Sequence, residues 1–115
     1  MKPFFFENSK LPVILSKFAP ININAITLGA FVFSRGVLSE RVKRHETIHF
    51  QQYIETLFIG FLLIYLYDYV RSGLKLGFNR DAYLNIRFEQ EAYDNDSDVD
   101  YLEKRKHFAW LKYKL

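Results

Sequence analysis

The sequence predicts a mainly α fold of the α+β class: a long helix, two further helices, and a short strand or hairpin ahead of the long helix. Three observations point there. The length, 115 residues, leaves room for a single core, so residues 1–115 form one domain. Helix start and stop signals recur along the C-terminal two thirds of the chain, and one β-branched, aromatic segment precedes them. Half of the residues are apolar and 18% are aromatic, which excludes a disordered chain and gives a small fold large side chains to bury.

Residues 1–24 carry Pro3, Pro12 and Pro20 and read as an irregular leader, with a helical turn near Val13 to Lys17. Ala25 to Ser34 (AITLGAFVFS) reads as a strand with Gly29 inside it, and Arg35-Gly36 as a turn. Ser39 is placed as an N-cap, with Glu40 in the first turn where the helix dipole favours negative charge. The helix it opens is expected to reach about Ser72, with Gly73 ending it and Gly60 marking a break or a close contact. The segment 73–79 (GLKLGFN) is a loop, and a second helix covers about Arg80 to Asn95. Ser97 followed by Asp100 resembles a capping box and opens a third helix, Asp98 to about Tyr113. The alternating Asp94, Asp96, Asp98 and Asp100 lack the central Gly and terminal Glu of a calcium loop, so they read as helix-end solvation and capping. Phe4 to Phe6 and Trp110 are expected in the core.

A net charge of +3 and a pI near 9.1 are too mild for a nucleic-acid partner. The apolar run Phe4-Phe5-Phe6 stops at Glu7 and is no signal peptide, which makes a cytoplasmic location the expectation. Between Glu55 and Asp68 lie twelve uncharged residues, Thr56 to Tyr67. As a helix they reach roughly 18 Å, short of the ~30 Å hydrocarbon core of a bilayer. A buried core helix is the favoured reading. The alternative is a membrane-surface or re-entrant element, the former with Leu57 to Tyr67 on lipid in peripheral contact and the basic residues around Arg71 and Lys75 at anionic headgroups.

The chemistry-bearing pattern is His45-Glu46-Thr47-Ile48-His49, an HExxH sequence inside the first long helix. Residues i and i+4 project from one helical face, so both imidazoles can reach one ion. Glu46 is then close enough to act as general base on a water at the metal without being a ligand. Chance produces this pattern in roughly one chain of this composition in two hundred. There is no cysteine, and His107 is the only other histidine, so a carboxylate is the natural third ligand. The second helix offers Phe88-Glu89-Gln90-Glu91-Ala92-Tyr93. Positions two apart on a helix diverge by about 200°, so only one of Glu89 and Glu91 can face the metal.

Here the chain resembles the gluzincins, zinc peptidases with an HExxH helix and a downstream glutamate ligand on another helix. The resemblance implies a minimal zincin-like fold and one Zn2+ per chain. In the thermolysin-like and CAAX-processing branches, an acidic residue four positions after the ligand glutamate orients a ligand histidine, and the latter branch often shows Phe-Glu-x-x-Ala-Asp. On that pattern Glu89 takes the ligand role, with Glu91 the rival ligand. Tyr93 stands where the family has Asp, leaving Tyr93, Asp94 or Asn95 to orient a histidine. The layout is also similar to small bacterial HExxH proteins of about this length, minimal gluzincins whose parts correspond here to His45 to Gln52, Leu57 to Tyr69, Arg87 to Tyr93 and Tyr101 to Tyr113. The resemblance further implies a strand edge before the helix that can pair with an extended substrate, and His107 as an oxyanion donor. A solvated helix position is the plainer reading of His107. Gln51 and Gln52 read as helix-surface groups or supports of the ligands, and Tyr53 as core or site lining.

The function expected from these residues is zinc-dependent hydrolysis of peptide bonds in a peptide or protein substrate, with zinc-activated water and Glu46 as general base. The alternatives are a non-catalytic metal-binding scaffold and a membrane-surface protein that keeps a peptidase-like site.

Overall fold

The computed structural model describes residues 2–17 and 25–115; Pro20 and the end of the expected leader lie outside the described residues. Among the described residues the chain is mainly helical, with six α-helices, a 3₁₀ turn and one three-stranded sheet.

The leader is more regular than its prolines suggest. Phe4–Phe6 forms β1, and Leu11–Ser16 forms a short helix, α1, with Pro12 in its first turn where no amide donor is needed. The expected strand at 25–34 is a hairpin, β2 (Ala25–Leu28) and β3 (Phe31–Ser34). Gly29 makes the turn by adopting φ +63°, a left-handed value costly to any residue with a Cβ. β1 joins β3 in parallel, giving the order β1-β3-β2 with β2 at an edge. Strand alternation buries Thr27 and Val32 on the inner face and leaves Phe4, Phe6 and Phe31 on the outer one. Phe4 and Phe6 therefore do not fill the core; they stack on Phe31 and Phe33 at 5.8 and 5.3 Å between ring centroids.

α2 (Glu40–Glu55) opens as expected, with the Ser39 hydroxyl accepting from the Val42 amide at 3.2 Å. It does not continue to Ser72. The Phe58 amide bonds back to the Tyr53 carbonyl at 2.7 Å and the Leu57 amide to that of Ile54 at 3.3 Å, the paired closure of a Schellman end with Leu57 in the left-handed position. α3 (Ile59–Leu76) departs at 111° to α2. The break thus falls at Thr56–Phe58, and Gly60 lies inside the first turn of α3. Gly73 does not end this helix either. A Cβ there would overlap the Phe78 ring, and the helix stops at Gly77, whose φ is +90°.

The second expected helix is two: α4 (Arg80–Asn85) and α5 (Arg87–Asn95), parted by an extended Ile86. The cause lies on α3. The buried Asp68 carboxylate accepts from the Arg87 amide at 3.2 Å and grips its guanidinium at 3.0 and 2.9 Å, so it caps a new helix start. The third expected helix shrinks to α6 (Tyr101–Lys104) and a 3₁₀ turn at Ala109–Lys112. Asp98, not Ser97, supports its start, accepting from the Asp100 amide at 3.0 Å.

The core is an aromatic ladder. Tyr53 stacks on Phe61 at 3.8 Å, Phe61 on Phe88 at 4.5 Å, and Phe88 meets Trp110 edge-on at 4.8 Å, tying α2, α3, α5 and the 3₁₀ turn together. α3 gives this ladder only one stripe, and its other side is open, so the apolar segment is not a buried core helix. Among the described residues no single helix is long and apolar enough to cross a membrane. Replacing the N-cap, Ser39→Ala, is expected to lower unfolding free energy by about 1 kcal/mol in denaturant titration.

Candidate metal centre

α2 presents His45 and His49 one turn apart, and α5 crosses them with Glu89. The two Nε2 atoms lie 3.2 and 3.0 Å from the same oxygen, Glu89 Oε1. One ligand atom from each residue falls within 4.8 Å of the others, and all three residues are buried. Among the described residues this is the one such group of three.

Each member is held from behind. The His45 Nδ1–H donates to Asp96 Oδ2 at 2.9 Å, and Arg41 holds the other oxygen of Asp96 at 2.9 Å. The His49 Nδ1–H donates to the Gln52 amide oxygen at 2.7 Å. The amide nitrogen of Gln52 donates to the Phe88 carbonyl and to Glu91, which fixes its orientation. With Nδ1 of both rings engaged, the two Nε2 positions point at one spot, Glu89 Oε1. Tyr65, from the inner face of α3, donates to Glu89 Oε2 at 2.7 Å, so that Oε1 alone faces the imidazoles.

Electrostatics follow from burial and these contacts. Burial alone would raise the Glu89 pKa, but His49 and His45 hold its carboxyl well below the usual range. Burial pulls the His49 imidazolium down, yet the Glu89 carboxylate outweighs it and raises the pKa to about 9. His45 is shifted upward as well: burial opposes the shift and Glu89 drives it. Burial, reinforced by Glu89, pushes Tyr65 up and keeps it a donor. Two imidazole nitrogens and one carboxylate oxygen, converging with their outer atoms already bonded, make a donor set suited to a divalent cation of the zinc type.

Glu46 lies on the sheet side of the same helix. Thr27 of β2 donates to its Oε2 at 2.6 Å, and Tyr53 donates to the Thr27 carbonyl at 2.9 Å. The edge strand is thereby tied to the helix beside the histidines.

Glu91 does not face the histidines. It is buried on the opposite side of α5, accepting from Arg105 at 2.6 and 3.0 Å, from Tyr101 at 2.7 Å and from Gln52 at 3.0 Å. Arg105 also binds Glu55 at 2.8 and 2.9 Å, so this residue of a supposedly solvated helix is an interior cation. Tyr93 packs its ring edge-on against His45 at 4.5 Å and pairs its hydroxyl with Tyr83 at 3.0 Å. Asp94 accepts from Tyr113, and Asn95 donates to Glu91 and Tyr113, so none of the three expected residues orients His45 or His49 through a ring nitrogen. Asp96 does, although the aspartate run reads as helix-end solvation; it is only 3% exposed. It stands seven residues after Glu89, two turns along, and so returns to the same side of α5. His107 is 94% exposed and lies 3.7 Å from Glu55, by the C-terminal end of α2 and away from the triad. Two surface clefts of about 240 and 260 Å³ lie by Arg35–Val42 and by Gln51–Glu55, and neither is lined by the triad.

No protein-family model, curated protein or solved structure matches the chain.

For a divalent cation held by the triad, Asp96→Asn is expected to weaken binding by about 10–100-fold in competition with a chromophoric chelator, because an amide has one acceptor oxygen and cannot serve both Arg41 and the His45 ring. Arg105→Met leaves Glu55 and Glu91 buried without their cation, and is expected to cost about 3–5 kcal/mol in denaturant unfolding.

Proposed function

We propose that the chain is a minimal gluzincin-type zinc metallopeptidase, with His45, His49 and Glu89 as the metal ligands and Glu46 as general base. One observation carries the reading: two Nε2 atoms and one carboxylate oxygen converge from two helices, each oriented by its own partner. A zinc ion held there supplies Lewis acidity, which brings the pKa of water toward about 7 and polarises a carbonyl. The residues of the chain supply the rest. Thr27 occupies Oε2 of Glu46, which leaves Oε1 to take a proton from the attacking water and deliver it to the departing amine. The phenols of Tyr93, whose ring packs on His45, and of Tyr83, bonded to it, are both pushed up by burial and so kept protonated; one O–H is spent between them and the other is a donor for the developing oxyanion. They take the place expected of His107.

A second reading has its own support. The three ligand residues and Glu46 are all buried, and a closed site suits a non-catalytic metal-binding scaffold. Two measurements separate the readings. Protein purified without added metal is expected to carry one zinc per chain in the parent and in Glu46→Gln, and none in His45→Ala; equal metal in all three overturns the site. In a peptide-library digest, Glu46→Gln is expected to lose about 10²–10⁴-fold in cleavage rate. Stoichiometric zinc with no cleavage by the parent assigns the scaffold.

A further inference from the structure

The inner stripe of α3 (Phe61, Tyr65, Asp68 and Ser72) faces the protein, through the aromatic ladder, Glu89, Arg87 and Asn85. The opposite stripe is apolar along the whole helix, and among the described residues nothing lies over it. Ile59, Leu62, Leu63, Leu66, Val70 and Leu74 recur at the three- and four-residue spacing of one helical face, and Leu63 and Leu66 are 64% and 60% exposed. Leu57 and Phe58, left-handed and exposed at the elbow, extend this surface past the helix start. A patch of this extent on a small chain marks an interaction surface.

Charge decides what covers it. From Thr56 to Phe78 the chain has one carboxylate, Asp68, and it is turned inward and bound by Arg87. Glu55, just before the elbow, is likewise withdrawn onto Arg105. The two charges left on the outside are cations, Arg71 and Lys75, one turn apart on the same side of the apolar stripe and near the C-terminal end of α3. Tyr67 beside them accepts from Arg71 at 3.0 Å. A second copy of α3 laid on this face would meet the two cations with no carboxylate of its own, whereas an anionic lipid surface supplies their partners. α3 is too short to span by itself, because its uncharged part from Ile59 to Tyr67 covers only about 14 Å, and its inner stripe is committed to protein contacts.

We infer that α3 lies flat in the interface of an anionic membrane, with its outer stripe among the acyl chains and Arg71 and Lys75 at the headgroups. The inference is independent of the metal centre, since no residue of the outer stripe touches a ligand. The full chain is tested with vesicles of phosphatidylcholine and with an equal mixture of phosphatidylcholine and phosphatidylglycerol. It is expected to sediment with the mixed vesicles and at least about 10-fold more weakly with phosphatidylcholine alone. Arg71→Gln with Lys75→Gln should weaken binding to the mixed vesicles by about 30-fold, at about a factor of five per cation. Leu63→Asp with Leu66→Asp should abolish it, with far-UV circular dichroism unchanged. Because the chain has no cysteine, a single Leu66→Cys labelled with an environment-sensitive fluorophore reads the same contact without disturbing charge. Its emission should shift blue on mixed vesicles while the same label at Val99→Cys, 75% exposed, stays unchanged. A chain that remains in the supernatant with both vesicles, or a label at position 66 that is silent, overturns the inference. So does a concentration-dependent dimer that Leu63→Asp with Leu66→Asp dissolves while no vesicle is bound, and that result assigns the face to a second copy.

Discussion

One buried carboxylate organises the molecule. Glu89 sits between two imidazoles of α2 and a phenol of α3, and a charge taken out of water is tolerable only when such partners surround it. Each partner is buried in turn and needs partners of its own. His45 requires Asp96, which requires Arg41; His49 requires Gln52, which requires Glu91, which requires Arg105, which also gathers in Glu55. The polar interior is therefore one connected set running from the triad to the far end of α2. Networks of this kind rigidify a core when every member is satisfied, and here the members come from α2, α3, α5 and the segment around α6. A chain of this size buries a modest fraction of its surface, and the network fixes geometry where apolar packing alone is thin.

The helix elbow at Thr56–Phe58 lets α3 face two ways. It turns the helix across the end of α2, so that Phe61 enters the aromatic ladder and Tyr65 reaches Glu89 on one side, while the leucines of the other side stay uncovered. Asp68 belongs to the same device. By binding Arg87 it starts α5 at the angle that brings Glu89 over the histidines and Asp96 behind His45. The outer surface and the interior site are thus opposite faces of one helix, and the residues that join them are Tyr65 and Asp68.

Much of the local structure is legible along the chain, for reasons that are themselves local. Ser39 opens α2 because a hydroxyl at that position satisfies an orphan amide. His45 and His49 share a face because a helix turns about 100° per residue, and the same geometry sets Glu89 and Glu91 on opposite sides of α5. The misplaced boundaries have two causes. α2 ends at a left-handed leucine instead of a glycine, closed by its own backbone. α5 begins where a side chain from α3 caps it and α6 stops where Arg105 is drawn inward, and in both a partner distant in sequence overrides the local preference.

The residue pattern by itself determined which groups can do chemistry here: an HExxH pair, a base beside it, a pair of carboxylates on a later helix, and no thiol. It also fixed that the segment after Glu55 is apolar, because composition is independent of packing. Which carboxylate turns toward the imidazoles, which aspartate of an alternating run is taken into the interior, and which face of the apolar helix meets the protein were decided only in three dimensions. Each of those choices depends on where another helix comes to rest, and the angle of that helix is set by contacts such as Asp68 with Arg87 between residues far apart in the chain.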